Sequence, residues 1–330
     1  MGAFLSKNIV FLSKGEHSPS TRYRALNYFS SFEAEGWAPV HLSLKGGLLQ
    51  QAKILLHARN AHAVVIIRRS LGFPFLFLLK SVTNTLIFDL DDSVFLKSSG
   101  KPSNRRNRRF RSTLKYCKQV WAGNDYLKSN TQDLVGDASV LPTAIDLARY
   151  QIESVKSSKY IDLVWIGSSS TSKYLIDIIP TLEKAVEQTP NLRLKIIADF
   201  TLESSVLNIV SIPWNLDTEV SELMASDIGI APMRDDPWTK GKCALKVLQY
   251  MACKLPVISS SVGANKDIVK QDQTGLLAES ENDWLEAIVR LSSSIEERES
   301  FGRKGYAACV EGFSQEVCFS KMIKQLSSIL

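Results

Sequence analysis

Short apolar runs alternate with longer amphipathic stretches along the 330-residue chain, the pattern of βαβ units that feed parallel sheets. In the first half, 8–12, 38–43, 63–68, 85–89, 119–122 and 140–142 read as strands, and 21–35 reads as a helix stopped by Gly36. A polar stretch rich in Ser and Lys, 151–159, interrupts the pattern, which then starts afresh. Strands are predicted at 161–166, 192–198, 209–213, 228–231, 256–259 and 275–278, and helices at 172–188, 242–253, 281–293, 295–310 and 315–330. A chain of this length exceeds the usual single core. The expectation is therefore an α/β protein of two doubly wound, Rossmann-like domains, with binding sites in the crevices at the carboxyl ends of the strands.

Composition narrows the class. With 45% hydrophobic and 22% charged residues the chain reads as a globular protein. Its richest apolar run, 71–79, contains Gly72 and Pro74 and stops at Lys80, too short to span a bilayer. The first residues lack a signal-peptide layout. Met1-Gly2 with Ser6 fits the short, commonly accidental N-myristoylation pattern. Five cysteines without paired metal spacing read as reduced core thiols, and with them a cytoplasmic setting is expected. Four histidines, none in a cluster, point away from zinc, and neither a metal nor another cofactor is expected.

The net charge of +6 is uneven, because Arg105, Arg106, Arg108, Arg109 and Arg111 crowd into seven positions. Such a run is either a solvated face or a docking patch for anionic lipid headgroups or a phosphorylated acceptor. Nucleic acid is not expected, since no recognition motif accompanies the arginines.

Three places carry candidate chemistry. The small residues Gly167, Ser168, Ser169 and Ser170 follow a strand and open a helix, so they either cradle a phosphate or form a plain capped turn. They do not spell the dinucleotide fingerprint, which disfavours a nicotinamide oxidoreductase. Further on, Lys242, Lys246 and Gln249 recur at helical spacing near a helix start, where two cations are unfavourable unless solvent or an anion such as a nucleotide diphosphate compensates. Finally, Asp89, Asp91 and Asp92 follow a strand and suit acid–base work, a metal or simple capping. Thr21, Arg22 and Arg24, at the start of the first long helix, could bind an acceptor or a donor phosphate.

The stretch 231–257, with Asp227-Ile-Gly-Ile before it and Pro256-Val-Ile-Ser-Ser-Ser-Val-Gly263 closing it, resembles the donor site of the retaining group 1 (family 4) glycosyltransferases. Ser18-Pro-Ser-Thr-Arg-Tyr-Arg24, Phe88-Asp-Leu-Asp-Asp92, Ala122-Gly-Asn-Asp-Tyr-Leu127 and Leu141-Pro-Thr-Ala-Ile-Asp146 extend the likeness, as do Trp165-Ile-Gly-Ser168, Asn265, Gly275-Leu-Leu-Ala278 and Trp284. The resemblance implies the GT-B fold, two doubly wound domains facing across a cleft. An acceptor-side domain would span 1–150, a nucleotide-sugar-binding domain 151–312, and a last helix at 313–330 would return to the first. It also implies a hexosyl-type transfer from a nucleotide-sugar to a glycan or lipid-linked acceptor, as in bacterial surface-polysaccharide and lipopolysaccharide synthesis, on the cytoplasmic membrane face and without a metal.

By that resemblance Gly167 to Ser170, Asp235, Asp236, Lys240, Lys246 and Gln249 would hold the donor, and Asp91, Asp92 and Lys242 would serve catalysis. The pattern is incomplete. Of the family's two helix glutamates, the second is replaced by Gln249, which still bonds hydroxyls, and the first falls at Gly241. The serines after Gly167 replace the usual basic phosphate ligands, leaving that work to Lys240, Lys242 or Lys246. Two further functions therefore stand beside transfer, a GT-B-fold sugar-nucleotide epimerase and a non-catalytic glycan- or nucleotide-binding partner of another transferase.

Overall fold

The computed structural model describes residues 7–151 and 159–330. The myristoylation pattern at Met1, Gly2 and Ser6, and most of the polar stretch 151–159, lie outside the described residues. The chain divides into two compact units. The first comprises Met1–Ala144, Asp236–Cys243 and Gln315–Leu330, and the second Ile145–Asp235 and Ala244–Ser314.

The first unit is built on a six-stranded parallel sheet, β1 (Lys7–Ser13), β2 (Trp37–Ser43), β3 (Ala63–Ile67), β4 (Leu86–Leu90), β5 (Gln119–Ala122) and β6 (Ala138–Val140), in the order β2-β1-β3-β4-β5-β6. Both faces of β1, β3, β4 and β5 are buried, so these strands read as largely apolar runs, whereas the edge strands β2 and β6 are mostly half-buried. Ile9, Phe11 and Val65 point to one face and pack with Cys318, Phe319 and Met322 of the helix Gln315–Ser327. Val10, Leu12 and Val64 point to the other and meet the helices Leu48–Arg59, Phe75–Val82 and Asn104–Tyr116. The chain leaves β1 towards β2 and then crosses to β3 on the other side, which opens a crevice at the carboxyl ends of β1 and β3.

The second unit repeats the plan with β7 (Ile161–Ile166), β8 (Leu192–Ala198), β9 (Asn208–Pro213), β10 (Ile228–Ala231), β11 (Val257–Ser260) and β12 (Gly275–Ala278), ordered β12-β11-β10-β7-β8-β9. Leu163, Trp165, Leu194 and Ile196 form its core with Leu175 and Leu182 of the helix Ser172–Gln188 and Ile288 of Glu281–Ser293. The helix Leu245–Ala252 is anchored by Tyr250, whose hydroxyl donates to the Ile230 carbonyl and accepts from the Ile166 amide, each at 3.1 Å.

Two helices differ from the sequence expectation. The stretch 21–35 is not one helix but Pro19–Arg24, a 3₁₀ turn Leu26–Tyr28 and Phe29–Ala34, broken at Ala25 directly after Arg24 turns into the core. The helix expected from Lys242 starts at Leu245, because Ala244 adopts a left-handed conformation at φ 53° that cannot continue it. All five cysteines are buried, with no disulfide among them. Among the described residues no helix is long and apolar enough to cross a membrane.

Candidate active site

The carboxylates after β4 are tied to cations of the first unit. Asp89 is fully buried and takes a bidentate bond from Arg24, with Nε at 2.8 Å and Nη2 at 2.7 Å, while Arg24 Nη1 donates to the Leu141 and Pro142 carbonyls at 2.7 and 3.0 Å. Burial opposes the Arg24 charge, but Asp89 outweighs it and raises the guanidinium's pKa. Arg24 is therefore a structural clasp between β4 and the chain after β6, not a ligand for acceptor or phosphate, which corrects the sequence expectation. Arg22 lies against the Tyr23 ring and does not line the cavity described below, whereas Thr21 does line it and donates its hydroxyl to Ser13 Oγ at 2.7 Å.

Asp92, almost fully buried, bridges two cations, Arg68 through Nη2 and Lys242 Nζ at 2.9 Å. Asp91 lies 3.8 Å from Arg68 Nε, and its Oδ1 is buried without a hydrogen-bond partner. Arg68 itself sits at φ 56°, a left-handed conformation uncommon for a residue other than glycine and one that clusters at functional sites. Among the described residues no cluster of His, Cys, Asp or Glu is arranged to hold a metal ion. The three residues expected to serve catalysis, Asp91, Asp92 and Lys242, thus share one neighbourhood. Arg68, the cation that joins them, escaped the sequence reading, although an arginine pair directly after an apolar strand was a signal.

Lys242 reaches Asp92 because the segment Asp236–Cys243 belongs to the first unit. Asn124 Nδ2 donates to the Lys240 and Lys242 carbonyls at 3.1 and 2.9 Å, and Ser93 Oγ donates to the Pro237 carbonyl at 3.1 Å. Asp236 spends its carboxylate capping the short helix Pro237–Lys240, accepting from the Trp238 and Thr239 amides at 2.8 and 2.9 Å. The expected stripe of Lys242, Lys246 and Gln249 on one helix is thereby corrected, since Lys242 precedes the helix Leu245–Ala252; Asp236, Lys240 and Lys242 fall in the first unit, and Lys246 and Gln249 in the second. Asp235, the last residue before this segment, is exposed and falls in the second unit.

A cavity of about 850 Å³ opens in the first unit at the switch point of its sheet. Its walls come from the loops after β1, β2 and β3 and from the helix Asn104–Tyr116, which contributes Arg106 and Arg109. Arg69 and Ser70 line it from the end of β3, and the Ser70 hydroxyl is shielded from solvent with no partner.

In the second unit, Gly167 ends β7 where a Cβ would lie 2.3 Å from Trp165 and 2.8 Å from Lys246 Nζ, so only glycine fits. Lys246 Nζ stands 3.8 Å above the Trp165 ring and 3.5 Å from Thr171 Oγ1. The helix carries Gln249 one turn beyond Lys246, nearly buried. The serine loop is largely self-satisfied. Ser168 N–H faces Thr171 Oγ1 at 3.5 Å, its hydroxyl pairs with Ser170 at 2.8 Å, and Ser169 donates its amide and hydroxyl to Asp199 at 2.6 and 3.0 Å. The Ser169 amide in turn holds the Asp199 carboxyl below its ordinary range. The Ser169 amide is thus committed to Asp199, and the cation beside Gly167 is Lys246.

Two six-stranded parallel α/β units of this kind define the GT-B class. Residues 161–294 match the family model described as Glycosyl transferases group 1. The structure is similar to HepE from Anabaena, solved with UDP and glucose, at 13% identity and TM-score 0.74 over 98% of this chain and 100% of that one. A glycosyltransferase from Rickettsia africae matches at 14% identity and TM-score 0.74 over 99% of each chain, and sucrose-phosphate synthase from Thermosynechococcus elongatus at 14% and 0.72 over 98% and 100%. Among curated proteins, none matches the sequence significantly. The family-model match covers residues 161–294, in the second unit, and the solved structures share the fold of the whole chain.

Proposed function

We propose that the protein transfers a hexosyl group from a nucleotide-sugar, with retention, to a glycan or lipid-linked acceptor of the surface-polysaccharide type. The observation that carries the reading is Lys246, held over Trp165 beside the glycine that keeps the end of β7 open. A cation at that point suits the donor diphosphate, and Gln249 one helical turn on suits the ribose hydroxyls. The diphosphate leaves as the acceptor hydroxyl attacks the same face of the sugar and takes up the acceptor's proton. The protein's part is to position the reactants and to stabilise the departing charge through Lys246. Asp91, with a buried oxygen that takes no hydrogen bond, suits an acceptor or sugar hydroxyl, and no metal enters this scheme. HepE, solved with UDP-glucose, supports UDP as the first base to test.

Thermal shift across UDP, GDP, ADP and their sugars should raise the melting temperature with one base. Lys246→Ala should then weaken nucleotide-sugar binding at least tenfold by calorimetry, since a charge-assisted bond contributes about 1.5–3 kcal/mol. Unchanged affinity in a folded variant would remove Lys246 from the site. Nucleotide bound without transfer or hydrolysis of any sugar would favour the non-catalytic partner, a reading kept in view by Gly241.

The reading places the enzyme on the cytoplasmic membrane face. Arg105, Arg108 and Arg111 are exposed on the helix Asn104–Tyr116, the first two opposite its buried Phe110 and Leu114, and the neighbouring helix Phe75–Val82 exposes Phe77 and Leu78. Cations beside exposed apolar side chains suit anionic lipid. The wild type should sediment with phosphatidylglycerol vesicles at low salt, and Arg105→Ser with Arg108→Ser and Arg111→Ser should release it. Indifference of the wild type to such vesicles would sink the membrane assignment.

A further inference from the structure

The cavity at the switch point of the first sheet is lined by six cations, Lys14, Lys45, Arg68, Arg69, Arg106 and Arg109, and by no carboxylate. Arg68 is already matched by Asp91 and Asp92. The other five form no salt bridge among the described residues, and converging like charges around a concave wall raise the local potential. Two independent features point into the same space. The Ser70 hydroxyl is buried and unpartnered in the wall, and Arg68, at φ 56°, turns the chain so that Arg69 and Ser70 follow into the lining.

We infer that this cavity binds the acceptor through a phosphoryl group. Guanidinium forks arrive from two elements, Arg69 from the end of β3 and Arg106 with Arg109 one turn apart on their helix. A tetrahedral phosphate, with several strong acceptor oxygens and nearly two negative charges, can use forks from both sides together with a hydroxyl. A carboxylate, with two oxygens in one plane, leaves some of these donors unused. The volume of about 850 Å³ far exceeds a bare phosphate, so the group is carried by a larger molecule. Leu44, Ile54, Leu71, Phe75 and Trp238 supply the apolar wall for its remainder. The inference deepens the transferase reading by naming the chemistry of its acceptor, and it rests on that reading for the word acceptor alone.

Glucose 6-phosphate and glucose are titrated calorimetrically into the full-length protein held in saturating UDP. The expected result is binding of the phosphate ester and none of glucose at the same concentration. Arg69→Ala with Arg109→Ala, both exposed positions, should weaken that binding at least tenfold while the melting temperature stays put. Lys246→Ala, on the other unit, should leave it in place. Equal affinity for glucose and its phosphate, or an unaffected double variant, overturns the inference. If UDP fails to bind while the arginine-dependent phosphate binding persists, the donor reading fails and the anion site stands. Phosphatidic acid vesicles, whose headgroup is a phosphate monoester, that displace glucose 6-phosphate from the cavity assign the phosphate to a lipid headgroup; vesicles without effect assign it to a soluble ester.

Discussion

Replacing Arg24 by methionine should destabilise the protein by about 3–5 kcal/mol, the cost of leaving a buried charge without its partner. Asp89 is fully buried and Arg24 nearly so, and the guanidinium also satisfies two carbonyls after β6. Chemical denaturation at pH 7 reads the loss directly. Its pH dependence has a definite sign. Burial lifts the Asp89 carboxyl to about 6, with Arg24 pulling the other way. Without Arg24 the folded-state value rises further, so Asp89 contributes stability below its unfolded pKa and loses it as pH climbs through the folded one. The deficit of the variant should therefore shrink between pH 7 and pH 5, and adding Asp89→Asn should recover part of it at pH 7. A variant as stable as the wild type at pH 7 would mean that the pair is not the clasp described here.

Gly241→Glu restores the glutamate that the group 1 pattern carries at this position, yet it should damage the protein. A Cβ at Gly241 would lie 2.0 Å from Ser93 Oγ and 2.9 Å from the Ser93 amide nitrogen. The neighbouring backbone is pinned by Asn124 and by Ser93's bond to the Pro237 carbonyl, so it cannot retreat without breaking these contacts. Overpacking of this kind costs about 1–3 kcal/mol before the buried carboxylate is counted. The expected outcome is a lower melting temperature, a weakened Lys242–Asp92 pair and no gain in donor affinity. Tighter nucleotide-sugar binding in a variant of unchanged stability would show that the segment accommodates the side chain, and that the missing glutamate is a loss of function and not a packing choice.

The sequence-based strands coincide closely with the observed ones because their signal is local. Runs such as Ala63–Ile67 and Ile161–Ile166 are apolar on both faces, and that continuity already tells of a parallel sheet covered by helices. Helix boundaries were less legible. Nothing in the residues around Ala244 announces a left-handed turn, and the break after Arg24 follows from a bond to a carboxylate 65 positions away.

The sequence by itself determined the α/β class, the two sheets and the loops at strand ends where polar side chains collect, because periodicity and glycine placement act over a few residues. It also picked out Lys246, Gly167 and the carboxylates after β4 as candidates, while the fold set Lys246 beside Gly167. Only the tertiary structure decided which polar groups serve each other. It gave Arg24 to Asp89, Asp236 to a helix cap and Ser169 to Asp199. It brought Lys242 to Asp92 across 150 positions of chain, and it drew Arg69, Arg106 and Arg109 around one cavity. The physical reason is that a side chain's charge is written in its own residue, whereas the partner that neutralises it is selected by packing between segments far apart in the chain.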